Sequence, residues 1–250
     1  EPVSISPMVY LKKASPPAYL QKLRETCDAA GCALIFDEVM TSRLAPGGAQ
    51  ALLGITPDVT TFGKYYGGGL PFGGFGGKRK WMERHDPAHP KSINSGGTFN
   101  QNAICLAAVE AVFENLWSEE QCTNHNAKAE RFKRAINELA IKHDAPCRAY
   151  GTGSLLTIIW QKQVVTEEHY ADNQTKHELN LVAKMCVFKC AELFWFYMLQ
   201  RHNILAGSPK LNYLTLPTTL KDSDYDHFLK AMAKFFEAHK TELAMLSAET

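Results

Sequence analysis

Apolar positions follow two different grammars along this chain of 250 residues. Near the start they recur at helical spacing (Tyr19, Leu20, Leu23, Cys27). Ser15 stands ahead as a capping hydroxyl, Pro16 and Pro17 fit a first turn and Gly31 is a stop, so the pattern predicts a helix. Cys32 to Phe36 is instead short and continuously apolar and ends in Asp37 and Glu38, the pattern of a strand buried on both faces. Helix followed by buried strand predicts an α/β fold with a parallel sheet, in which ligands gather beyond the carboxyl ends of the strands. Val59 to Phe62 reads as a second strand, after the turn Thr56-Pro57-Asp58 and before Gly63-Lys64. The two strand ends therefore offer an acid and an amine.

A glycine-rich stretch follows (Gly67 to Gly69, Gly73, Gly74, Gly76, Gly77), then a polar, proline-containing loop around Asp86 to Pro90. From Thr98 a helix is predicted whose Ala103, Ile104, Leu106, Ala107, Val109, Val112 and Phe113 are apolar on nearly every side, the signature of a buried helix. Beyond about Trp117 the grammar changes. An amphipathic helix (Phe132, Ile136, Leu139) precedes a strand from Leu155 to Trp160, a polar linker and a long helix through Phe194 and Leu199. A strand pair near Ile204 and Tyr213 and a helix capped around Ser223, with Tyr225, Phe228, Leu229, Met232 and Phe236 on one face, end the chain. The division this implies is residues 1–116 as part of a larger α/β domain and 117–250 as a small α+β domain.

Charge narrows the picture only by exclusion. Twenty-seven Lys and Arg against 26 Asp and Glu give a net charge of +1, which disfavours nucleic acid or an anionic membrane as the main partner. No apolar run reaches the roughly 20 residues that span a bilayer, and the opening Glu1-Pro2-Val3-Ser4 lacks the order of a secretory signal, so a soluble cytoplasmic protein is expected. The seven cysteines form no C-x-x-C pair and read as reduced, mostly buried thiols; Cys186 and Cys190 could meet on one helical face as core. No histidine spacing suggests a metal site.

The glycine run fails the phosphate-loop templates. A Walker A loop ending at Gly77-Lys78 needs glycine at 72 and serine or threonine at 79, where the chain has Phe72 and Arg79. The dinucleotide fingerprint fails at the same two positions. On spacing alone the run is a turn without ligand. Asp37 and Lys64 together point elsewhere. Pyridoxal phosphate chemistry needs an amine for the cofactor aldehyde and a carboxylate that keeps the pyridine nitrogen protonated, and one sheet edge carrying both would suffice. Thr98, read at a helix start, adds a hydroxyl, an N–H group and the positive end of a helix dipole for the phosphate.

The stretches Leu34-Ile35-Phe36-Asp37-Glu38-Val39-Met40-Thr41, Ala45-Pro46-Gly47-Gly48, Thr56 to Lys64, Gly67 to Gly73 and Gly97-Thr98-Phe99-Asn100-Gln101-Asn102 resemble the class III pyridoxal-phosphate aminotransferases, closest to the glutamate-1-semialdehyde aminomutase branch. The likeness is dense from Leu34 to Asn102 and looser to the C-terminus. It implies fold type I, here the C-terminal part of the large domain followed by the small α+β domain. It makes Lys64 the Schiff-base lysine and general base, Asp37 the partner of the pyridine nitrogen and Val39 a residue packed on the ring. Thr98, with Gly97, would bind the phosphate of a cofactor held mainly by the other subunit of a homodimer. A small-molecule amino donor and a carbonyl acceptor are the implied substrates.

Departures accompany the likeness. Family members carry a long N-terminal portion before the Glu-Pro that opens this chain, with a phosphate-cradling turn and an aromatic residue stacked on the ring, so a partial chain is expected. Ile5-Ser6 replaces the usual continuation of Glu1-Pro2-Val3, and Gly207-Ser208-Pro209-Lys210-Leu211-Asn212 lacks the acidic residue common in the aminomutase branch. Two readings follow: amino-group transfer, as transaminase or aminomutase, and a truncated non-catalytic remnant that dimerises or serves as an interaction module.

Overall fold

The computed structural model describes Pro2 and residues 17–94, 96–160, 188–206 and 213–248. Ser15, Pro16, Cys186, the polar linker and the segment 207–212 lie outside the described residues. The chain divides into two compact units, meeting in sequence between Asn124 and His125.

In the first unit, α1 (Pro17–Ala30) ends at Gly31, whose φ of +65° suits a residue without Cβ. β1 (Ile35–Asp37) pairs in parallel with β2 (Val59–Gly63), Asp37 opposite Thr61. Between them lie a 3-10 turn (Thr41–Leu44) and the short helix α2 (Gly48–Leu53). The sheet is mixed rather than parallel, because β3 (Gly73–Gly77) adds antiparallel to β2. The glycine run is thus partly a strand, and the approach is so close that a Cβ at Gly77 would overlap the Asp58 carbonyl and one at Gly74 the Phe62 ring. β1 is not buried on both faces: Phe36 is buried, but Ile35 is 57% exposed because none of the described elements covers its side. The core is correspondingly small, built on Leu20, Cys27, Leu34, Phe36 and Ile55.

The helix expected from Thr98 begins later. After α3 (Arg79–Met82), α4 runs Ala103–Asn115, and Asn102 caps it by accepting the N–H groups of Ile104 and Cys105 at 3.0 and 3.2 Å. Nor is α4 buried. Val112 alone is, while Ile104 is 72% exposed and Leu106 and Phe113 are about half exposed.

The second unit is built on a different plan. α5 (Glu119–Lys142) runs across the division between the units and opens, within the first, on a reciprocal capping box, in which Ser118 Oγ accepts the Gln121 N–H at 3.1 Å and Gln121 Oε1 accepts the Ser118 N–H at 3.0 Å. β4 (Cys147–Thr152), β5 (Leu155–Trp160) and β6 (Tyr213–Thr215) form an antiparallel sheet with β5 central and buried at all six positions. No strand forms at Ile204, so Tyr213 pairs with β5 instead. The outer edge of β4 is satisfied by α5: Asn137 exchanges two hydrogen bonds with Ala149, and Lys133 donates to the Gly151 carbonyl at 2.9 Å. α6 (Phe188–His202), α7 (Asp222–Ala238) and α8 (Lys240–Ala248) complete the unit. The cap of α7 falls ahead of Ser223, at Lys221, whose N–H donates to Asp224 Oδ2 at 2.7 Å. Among the described residues no helix is long and apolar enough to cross a membrane.

Candidate functional site

Parallel pairing of β1 with β2 brings the carboxyl ends of both strands to the same sheet edge, and with them Asp37 and Lys64. Asp37 is exposed and uses one oxygen for two bonds. Its Oδ1 accepts the Thr61 hydroxyl at 3.0 Å and the Val39 N–H at 3.1 Å, which leaves Oδ2 open among the described residues. Lys64 begins the 3-10 turn Lys64–Gly67 with a φ of +54°, left-handed for a residue with a side chain. It is exposed, and among the described residues its amine makes no hydrogen bond or ion pair.

Two buried carboxylates brace the two ends of this strand pair. Glu38, wholly buried directly after Asp37, accepts the Thr41 hydroxyl at 3.1 Å and the N–H groups of Ala49 and Gln50 at 2.6 and 3.0 Å, so it holds the start of α2 against the strand end. Gly48 has φ +74°, and a Cβ there would press on the Glu38 carboxylate. At the opposite end of the strands, Asp58 accepts Arg24 at 2.7 Å, Lys78 at 2.8 Å and the Leu34 N–H at 2.8 Å. Burial opposes its charge, but the bonds from Lys78, Leu34 and Arg24 outweigh that and hold its carboxyl well below the usual range.

Lys64 is tied to the Asp37 side through its neighbour. The Tyr65 hydroxyl donates to Ser42 Oγ at 2.9 Å, and the Ser42 N–H donates to the Glu38 carbonyl at 3.0 Å. Burial pushes the Tyr65 hydroxyl far above its ordinary pKa, so it stays protonated and donates. Its ring lies 4.2 Å from Tyr66 and 5.1 Å from Trp117, and Tyr66 stacks on Phe113 at 4.8 Å. These contacts pin the turn that carries Lys64.

Asp37, Val39 and Lys64 therefore share one edge. Gly97 and Thr98 lie instead in an exposed turn closed by the Asn100 N–H on the Gly97 carbonyl at 2.9 Å. The helix dipole expected at Thr98 belongs to Asn102. Sequence reasoning missed Thr61, Glu38 and the Ser42–Tyr65 link. Thr61 was within reach, since a parallel pair beginning at Ile35 and Val59 puts residues 37 and 61 side by side. Among the described residues, no cluster of three or more His, Cys, Asp or Glu is arranged to hold a metal ion.

Comparison with known proteins places this geometry in company. Residues 12–233 match the family model described as aminotransferase class-III. The beta-phenylalanine transaminase of Variovorax paradoxus is 33% identical over 223 residues, 89% of this chain and 48% of that protein. A glutamate-1-semialdehyde 2,1-aminomutase of Lachnoclostridium phytofermentans is 38% identical over 169 residues, 67% of this chain and 38% of that protein. The crystal structure of the Variovorax aminotransferase superposes with a TM-score of 0.75, covering 91% of this chain and 49% of that one. The chain thus spans about half the length of the relatives it matches, and its fold is the corresponding part of theirs.

Proposed function

Given that the chain belongs to the class III aminotransferases, we propose that it contributes the amine and the ring-nitrogen carboxylate of a pyridoxal-phosphate site catalysing amino-group transfer between a small amino donor and a carbonyl acceptor. The observation that carries this is the placement of Asp37 and Lys64 at the carboxyl ends of two paired parallel strands, both exposed and each with an open polar atom. That donor set fits the group: an aldehyde calls for an amine free of ion pairs, and a basic ring nitrogen for a carboxylate oxygen left unpaired.

When bound, pyridoxal phosphate supplies an aldehyde that captures amines and a ring that accepts the electron pair released from a substrate C–H bond. Lys64 Nζ would be the amine that holds the aldehyde, and as a free amine it would take and return the proton at the substrate Cα. Asp37 Oδ2 would accept the N–H of the protonated ring nitrogen. Val39, whose N–H already bonds Asp37, would pack against the ring, and the exposed turn of Gly97 and Thr98 would offer an N–H group and a hydroxyl to a phosphate across a homodimer.

The test is covalent trapping. The chain incubated with pyridoxal phosphate and reduced with borohydride should carry the cofactor mass on the peptide containing Lys64, and Lys64→Ala should abolish it while melting at the parent temperature. Modification of other lysines with Lys64 untouched would overturn the assignment.

A further inference from the structure

Asp37 has two oxygens and only one can meet a ring nitrogen, so something must decide which. The register answers this. Thr61 is the residue directly opposite Asp37 in the β1–β2 pair, and it is bonded to that strand twice: its carbonyl accepts the Glu38 N–H at 3.0 Å, and its hydroxyl donates to Asp37 Oδ1 at 3.0 Å. The Val39 N–H occupies the same oxygen at 3.1 Å. Side chains alternate along a strand, and the neighbouring Thr60 sends its hydroxyl to the other face, where it accepts Gln50 Nε2 at 3.3 Å. Two adjacent threonines thus serve two faces, one anchoring α2 and the other the carboxylate. A valine at 61 would fill the same space and satisfy the same strand preference, so the hydroxyl answers a need that packing does not set.

We propose that Thr61 is the positioning residue of the site: with the Val39 N–H it saturates Asp37 Oδ1, fixes the carboxylate rotamer and leaves Oδ2 as the oxygen presented to the pyridinium N–H. This rests on the assignment of Asp37 to the ring nitrogen. Thr61 need not touch the cofactor, so its effect runs through Asp37.

Two measurements separate the positioning role from the functional reading. In the cofactor-free chain, NMR couplings across Asp37 Cα–Cβ should report one dominant rotamer in the parent, averaged rotamers in Thr61→Val and recovery in Thr61→Ser. Pyridoxal phosphate labelled with ¹⁵N at the ring should then bind Thr61→Val about fivefold more weakly, as expected for one lost hydrogen bond of about 1 kcal/mol. Its ¹⁵N shift should move part of the way toward that of Asp37→Asn, and Thr61→Ser should restore both. Couplings in Thr61→Val identical to the parent would overturn the proposal, as would parent affinity and shift in that variant while Asp37→Asn changes both. Altered couplings together with an Asp37→Asn variant that binds and resonates like the parent would overturn the assignment of Asp37, and with it the cofactor half of the proposal, while leaving the Thr61–Asp37 contact standing.

Discussion

The two units differ in how much of their large apolar side chains they gather into one core, although each also exposes some, such as Phe196 and Leu205 in the second. In the second, Trp160, Phe194, Phe235, Leu156, Ile158 and Met198 have almost no exposed surface, and Phe194 alone lies within ring-contact distance of Trp160, Trp195, Phe228 and Phe235. In the first, Ile35, Phe75, Phe99, Ile104, Phe113 and Leu116 stand about half exposed or more, and the best-buried groups include the carboxylates of Glu38 and Asp58. One unit is organised by apolar packing that the chain supplies to itself. The other is organised by hydrogen bonds to buried charge around a sheet edge, with apolar surface left over. Apolar pattern states a demand for burial, and among the described residues that demand is met more fully in the second unit than in the first.

The contrast can be broken first in the packed unit. Phe194→Ala should cost about 3–5 kcal/mol, the usual range for emptying a buried aromatic site. Urea unfolding followed at Trp160 and Trp195 should shift strongly, while the signal from Trp81 and Trp117 in the first unit stays put. A loss below about 1 kcal/mol would mean that this core is loosely packed.

Next comes the charge on which the first unit depends. Asp58→Ala leaves the Leu34 N–H unpaired and takes from Arg24 one of its two carboxylate partners, Asp28 remaining, and should cost about 2 kcal/mol there. Because the Asp58 pKa is lowered on folding, its contribution is complete above the unfolded carboxylate value of about 4 and fades as pH falls toward the lowered one. The first unit of the parent should therefore lose stability on acidification below about pH 4, and Asp58→Ala should lose less over the same window. Equal slopes would separate Asp58 from that acid sensitivity.

The smallest effect sharpens the comparison most. Ile104→Ser removes an apolar side chain from a helix face that the described residues leave open, and should change stability by no more than about 0.5 kcal/mol. A loss above about 1 kcal/mol would show that the face is covered in solution.

Legibility cut across that divide. β1 was readable because a short apolar run ending in Asp37 fits a strand entering a sheet better than any surface element, and β2 because Val59, Thr60 and Thr61 are β-branched and stand between a turn and Gly63. β3 was not, since Gly73 to Gly77 offers one large side chain, Phe75, and no alternation; its glycines answer to a neighbouring backbone, which a sequence does not display. β4 was missed because Cys147 to Thr152 is too mixed, its outer edge being finished by Asn137 and Lys133 from a helix. Thr98 and Asn102 are both competent caps, and only the bonds to Ile104 and Cys105 choose between them. The exposure of α4 was illegible in principle, for apolarity on every side states a demand for cover without saying who meets it.

Lys64 occupies a left-handed backbone position that costs a residue with a Cβ roughly 1–2 kcal/mol. Asparagine or glycine would rest there more easily, and the lysine recovers nothing through pairing among the described residues. Lys64→Asn should therefore relieve part of that strain, and urea unfolding of the first unit would show it as a higher midpoint.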